Sequence, residues 1–349
     1  MKKIFTYFFL MCFTCNYSFA QDVHFSQFHQ TPQLLNPATA GFFQGYERVI
    51  LNHKSQWSAL GSPYRTTAAS FDLPFYFGSG QDAYLGAGLN FYNDRAGDSK
   101  FGINQASLSF SGILPLDKVN KLSAGLQIGL AQRSADLSNL VWGNQFNGVD
   151  GFNTNIASNE ANTATSFVYA DVAAGVFYEF NKSAENMSGY DMTKIQAGVA
   201  YFHANSPRLK YATSPDEKLY GKLVAHTHMR FDIPGSEVAV VPQAIYVLQG
   251  PYQELNGGIS LRVKLRNGTK YTGLVSENAF SFGFNFRNQD AIIPMFLLEL
   301  SNYAVGLSFD LTTSAIKNVS PAAGGFEISL RYTNLKDALW KRKVKGRHN

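Results

Sequence analysis

The chain is poor in charge, and beyond its first twenty residues it has neither a cysteine nor a long hydrophobic run. Only 16% of its 349 residues are Asp, Glu, Lys or Arg, against about 25% in an ordinary soluble domain. Yet 14% are aromatic and 30 are glycine, whereas disordered chains have few aromatics and high net charge. Cys12 and Cys15 both fall within the first twenty residues, which excludes disulfide scaffolds, thiol catalysis and cysteine metal sites for the remainder. No later segment approaches the run of about 18 apolar residues that a membrane helix needs, and the mean hydropathy is −0.14. A transmembrane β-barrel produces this profile, because lipid-facing and water-facing side chains alternate along each strand and average out.

Lys2 and Lys3 precede an apolar run from Ile4 to Phe13, and Ser18-Phe19-Ala20 is a small-x-small cleavage site. Together they predict a secretory signal peptide over 1–20. A lipoprotein leader would need a small residue before Cys12 or Cys15, and Met11 and Thr14 are poor there. Of the positive charges behind the formal net +5, two lie in this leader and five (Lys341, Arg342, Lys343, Lys345 and Arg347) in the last nine residues. The body between them is slightly acidic overall, so the total charge gives no case for nucleic-acid binding.

Period-two alternation is the main structural signal. Leu122, Ala124, Leu126, Ile128 and Leu130 share one face, with Lys121, Ser123, Gln127 and Arg133 on the other. Phe280, Phe282, Phe284 and Phe286 alternate with Ser281, Gly283, Asn285 and Arg287, and Phe326, Ile328, Leu330 and Tyr332 with Glu327, Ser329, Arg331 and Thr333. The pattern predicts about fourteen strands, at 47–56, 64–73, 83–93, 100–113, 121–133, 166–180, 194–203, 220–231, 237–248, 254–265, 278–287, 291–300, 303–311 and 324–334. Most have the roughly 9 to 11 residues of a tilted membrane strand, or slightly more. The expected organisation is a signal peptide (1–20), an N-terminal arm (21–46), an antiparallel transmembrane β-barrel (47–335) and a basic periplasmic tail (336–349). With both termini in the periplasm, the long connections 134–165 and 204–219 face outside, and Ser301-Asn302 is a tight periplasmic turn. The connection 181–193 is long for a periplasmic turn.

The arm carries Asp22-Val23-His24-Phe25-Ser26-Gln27-Phe28 and then Leu35-Asn36-Pro37-Ala38-Thr39-Ala40-Gly41. With Gln56-Trp57, Ser70-Phe71-Asp72, Arg287-Asn288-Gln289-Asp290-Ala291 and Gly325-Phe326-Glu327-Ile328-Ser329-Leu330-Arg331-Tyr332, in that order, the chain resembles the PorP/SprF family. These are outer-membrane components of the type IX secretion and gliding machinery of Bacteroidetes. This chain has Lys54 where members commonly have arginine, and it continues from Lys336 to Asn349 where they usually stop. The resemblance implies a noncatalytic anchor or scaffold in the outer membrane without a cofactor. Its partners would be the lipid bilayer, a secreted surface protein held through its C-terminal domain, such as an adhesin, and other periplasmic or outer-membrane secretion components. A passive porin or solute transporter is the alternative.

Several residues are candidate sites. His24, Phe25, Ser26 and Gln27, with Asn36, Pro37 and Gly41, either plug the lumen or dock a partner; Asn-Pro and Gly are also ordinary turn chemistry. Lys222, His226, His228, Arg230, Arg262, Lys264, Arg266, Arg287 and Arg331 fall at inward positions. They form either a cationic wall for an acidic segment or ordinary ion pairs with Glu327, Asp290 or Asp310. His226 and His228 share a face but have no clear third metal ligand. Gly325, Ile328 and Leu330 match an assembly signal on the last strand, here placed internally. Asp150, Asn153 and Asn155 have calcium-ligand chemistry without the spacing of a calcium loop. Gly86-Ala87-Gly88 reads as a barrel bend. The tail, with Trp340 among its cations, is either a disordered end or a contact for acidic protein or lipid phosphate. No triad, paired carboxylate or phosphate loop stands out.

Overall fold

Strands that are apolar on one face and polar on the other can bury both faces if they close into a ring in lipid, with the polar face turned inward. The computed structural model has this form. It describes residues 22–57, 63–76, 82–97, 99–135, 140–146, 148, 151–153, 155–157, 166–183, 192–211, 214–266, 277–313 and 324–335. The expected signal peptide, the basic tail and Asp150 lie outside the described residues.

The strands are β1 (Glu47–Gln56), β2 (Tyr64–Phe75), β3 (Tyr84–Ala96), β4 (Phe101–Pro115), β5 (Asn120–Ser134), β6 (Ser166–Ser183), β7 (Met192–Phe202), β8 (Arg208–Tyr211), β9 (Ser214–Lys218), β10 (Lys222–Asp232), β11 (Val238–Gln249), β12 (Tyr252–Arg266), β13 (Asn278–Arg287), β14 (Ala291–Leu300), β15 (Tyr303–Thr312) and β16 (Gly324–Asn334). All but β8 and β9 form one closed antiparallel barrel of fourteen strands, in which each pairs with its neighbour in sequence and β7 pairs with β10. The ring closes between β1 and β16, from Glu47 opposite Asn334 to Gln56 opposite Gly325. We call the end where β1 starts and β16 ends the terminal rim, and the other the far rim.

Burial is inverted relative to a soluble protein. Leu126 and Leu130 of β5 are each 63% exposed, and Phe284 of β13 is 57% exposed. Ser123 and Gln127 on the opposite face of β5, and Asn285 on that of β13, are buried. The exposed side chains form the lipid-facing wall and the buried polar ones line the lumen. Among the described residues, no helix is long and apolar enough to cross a membrane.

Two connections differ from the expectation. β6 runs on to Ser183 and β7 begins at Met192, so the long turn shrinks to 184–191, outside the described residues. The connection 204–219 contains the hairpin β8–β9, whose Leu209 and the following Leu219 fold back onto Phe25, Tyr92, Phe167 and Tyr169. At the terminal rim, the Asp117 carboxylate accepts the amides of Val119 and Asn120, each at 2.8 Å, which sets the β4–β5 turn. The Asn120 side chain and these two amides hold its carboxyl below the usual range.

Candidate functional site in the barrel lumen

The arm crosses the lumen from the far rim to the terminal rim. It begins at Asp22, beside His203 and Lys222 at the far ends of β7 and β10, so the described chain has its two ends at opposite rims and not on one side as expected. It ends where the Tyr46 amide donates to the carbonyl of Asn334. Between them lie a 3-10 turn (Phe28–Gln30), a one-turn helix (Pro32–Leu35) and a second 3-10 turn (Pro37–Thr39). So short a helix is not stable alone, so its conformation depends on the wall.

Three clusters hold the arm. At the far rim, His203 Nε2 lies 2.6 Å from Asp22, and its Nδ1 lies 2.8 Å from Asp171. Lys222 stands 3.2 Å from the same Asp22 carboxylate. Burial works against a charged His203, but Asp22 and Asp171 override it and raise its pKa to about 9.

One step in, Glu327 of β16 accepts the amides of Ser26 at 2.7 Å and Gln27 at 3.1 Å. Ser26 Oγ donates to Asp310 at 2.6 Å and accepts from Arg287 at 2.7 Å. Lys54 pairs with Asp310 at 3.3 Å and reaches the carbonyl of His24 at 3.4 Å. His24 stands 4.0 Å from Glu254, while Phe25 packs in the apolar cluster under the hairpin. Buried charges of this kind are tolerable only when paired and hydrogen-bonded.

Towards the terminal rim, Asn36 Oδ1 accepts the amide of Ala38 at 2.9 Å, and its Nδ2 donates to the Val176 carbonyl at 2.8 Å. Pro37 opens the turn that follows. Ser123 and Ser111 donate to the carbonyls of Ala38 and Ala40. The amide of Gly41 donates to Asp72 at 2.8 Å, and Asp72 is held by a two-point contact from Arg48, at 2.9 and 2.7 Å. Gly41 has φ +66°, and a β-carbon there would meet Gly86 Cα at 2.7 Å. It satisfies both demands that single out glycine.

The wall makes room for this path with its own glycines. Added β-carbons would run into Ala40 at Gly86, into Gln33 at Gly88, into Pro37 and Ala38 at Gly125, into Asn36 at Gly175 and Gly198, and into Gln27 at Gly306. Gly86 and Gly88 therefore mark where the arm crosses β3, not merely a bend. The Gly-Ala-Gly spacing was visible in sequence, but what passes over it was not.

Apart from Arg266, the cations expected at inward positions lie on the inner face, and most meet acids. Arg287 binds Asp310 and Asp290; Arg331 and Arg262 share Glu299; Arg230 and Lys264 share Asp232. Arg262 and Arg230 also flank Glu277. His226 stacks on Phe177 and His228 on His29 of the arm. Arg266, after a register shift in β12, is exposed at the terminal rim. Among the described residues, no group of three or more His, Cys, Asp or Glu is placed to hold a metal.

Gly325, Ile328 and Leu330 sit on the closing strand β16, where Leu330 is exposed on the lipid-facing side. Asn153 and Asn155 form a local turn, the Asn155 amide donating to Asn153 Oδ1 at 2.9 Å. Sequence reasoning assigned no role to Asp22, Asp72, Asp171 or His203. Beside the arm in the terminal half, a cavity of about 490 Å³ remains, lined by His29, Phe42, Lys194, His228, Arg262 and Arg331 among others.

The chain is similar to several solved structures. The toluene transporter TbuX of Ralstonia pickettii aligns with TM-score 0.44 and 10% identity, covering 87% of this chain and 94% of its own. The toluene transporter TodX of P. putida gives TM-score 0.42 and 10% identity, covering 86% and 92%. The beta domain of the Bordetella autotransporter BrkA gives 0.41 and 11%, covering 83% and 100%. No curated protein matches the chain. The sequence pattern of the family described as "Type IX secretion system membrane protein PorP/SprF" matches residues 17–332, nearly the whole chain. The protein therefore belongs to the PorP/SprF family of type IX secretion system membrane proteins.

Proposed function

We propose that this barrel is a noncatalytic, plugged scaffold of type IX secretion, one that holds a secreted surface protein at the outer membrane through that partner's C-terminal domain. Membership of the family makes it an outer-membrane component of the secretion system. The observation that carries the scaffold reading is the arm fastened along the lumen from Asp22 to Gly41. A porin of 16 to 18 strands keeps an aqueous channel, whereas here fourteen strands surround a chain segment with its own fitted groove. In this reading the terminal rim faces the periplasm and other secretion components. The longer connections at the far rim face outside and meet the cargo.

Deleting the gene tests the role. Loss of secretion or surface retention of at least one type IX cargo is expected, and unchanged secretion and retention of every cargo would overturn it. Planar-bilayer recording tests the plug: the intact barrel is expected to stay closed and to conduct once residues 21–46 are removed. A steady current through the intact protein would favour the porin.

A further inference from the structure

Most lumenal arginines in this barrel meet carboxylates, but two on its outer wall do not. Arg65, near the start of β2, lies directly opposite Arg95, near the end of β3, in the antiparallel register. Both are exposed. Tyr92 is buried in the lumen and Thr66 bonds to Asp94, so alternation turns Arg65 and Arg95 outward. Directly opposed residues have β-carbons about 4.5–5.5 Å apart, and like charges so placed repel. Among the described residues, neither guanidinium has an acidic partner.

The surroundings fit an anion held at a membrane edge. The next outward row towards the barrel's middle is polar: His53, Thr67, Asn93 and Asn104 stand side by side on β1 to β4. His53 bonds to Thr67 at 2.9 Å and Asn93 contacts Asn104. The row below it is apolar, with Leu51, Ala69, Phe91 and Ala106. The two guanidiniums thus sit at the far-rim margin of the lipid-facing band, at headgroup height. Guanidinium forks match phosphate oxygens two at a time, and one phosphate between them would turn a repulsive pair into a shared site.

We propose that Arg65 and Arg95 bind the phosphate of a membrane lipid in the leaflet that meets the far rim. The assignment of that leaflet as the outer one rests on the periplasmic placement of the terminal rim proposed above; the binding itself does not.

The test uses the full mature protein in detergent, offered three probes: a diphosphorylated acylated glucosamine lipid, the same lipid after enzymatic dephosphorylation, and inorganic phosphate. Native mass spectrometry and thermal unfolding read binding. The phosphorylated lipid is expected to bind about tenfold more tightly than the dephosphorylated form, and inorganic phosphate to leave the unfolding midpoint unmoved. Arg65→Gln, Arg95→Gln and the double variant should lose the preference, while Lys118→Gln on the opposite rim keeps it. Without lipid, the single variants should be at least as stable as the wild type, because a repulsion has been removed.

Equal binding of both lipid forms by the wild type, or an unchanged preference in the double variant, would overturn the proposal. So would an equal midpoint shift from inorganic phosphate, which would make the pair a soluble-anion site. A change in cargo retention with unaltered lipid binding would assign the pair to a protein instead. Should a variant fail to fold, the wild-type comparison of the two lipid forms still decides.

Discussion

The carboxamide of Asn36 occupies the space that a β-carbon on Gly175 would need. That one relationship ties the arm to the wall: the side chain shapes its own turn through Ala38 and bonds to β6 through Val176, while the glycine keeps its place clear. Gly175→Ala should therefore destabilise the barrel by about 1–3 kcal/mol, the usual cost of overpacking. It should also make the arm easier to cleave by protease. In a variant lacking residues 22–46 the same substitution should cost almost nothing. A double-mutant cycle on thermal unfolding measures this coupling.

Asp72 is fully buried, held by Arg48, and accepts the amide of Gly41. Arg48→Ala leaves that carboxylate without its cation. Breaking a buried pair from one side costs about 3–5 kcal/mol, so a clear drop in unfolding midpoint is expected. Replacing both residues with apolar ones should cost less than this single change.

His203 links two carboxylates, one on the arm and one on β6. Its pKa is raised from 6.5 to about 9 in the folded state. A raised folded value means that its contribution is complete below about pH 6.5 and is lost as pH climbs through about 9. The gap in unfolding midpoint between wild type and His203→Gln should thus be wide at pH 6 and narrow by pH 10. A gap independent of pH would show that the imidazole acts only by packing.

Phe284 stands mid-strand on the outer face of β13. In lipid, an arginine at midplane on this face costs about 2–4 kcal/mol. Phe284→Arg should accordingly lower the folded fraction in bilayers, while Phe284→Leu should be close to neutral. If the arginine variant folds as well as the wild type, this face does not meet hydrocarbon.

The barrel was largely legible because its signal is local. The four phenylalanines of β13 and the leucines of β5 announce a lipid face by period two alone, and the number of strands in the ring follows from counting such segments. The lumen was less legible for the opposite reason. Asp22 meets His203 and Ser26 meets Glu327 across most of the sequence, and no periodicity encodes which inward residue faces which arm residue. Gly125 and Gly175 sit in strand patterns that carry no local sign of the Pro37, Ala38 and Asn36 that pass over them. The hairpin β8–β9 was hidden within a polar connection because its strands are only four and five residues long.

The path of the arm also fixes how the molecule carries load. Asp22 sits at one rim and Leu335 leaves from the other, so the two ends of the described chain are separated by the height of the barrel. A pull on the amino end is borne first by the Asp22 contacts and then by Glu327, and only afterwards by Asn36 and Gly41. Tension would therefore release these fastenings one after another, as in a zip, and leave the fourteen-strand ring intact while its filling is drawn out.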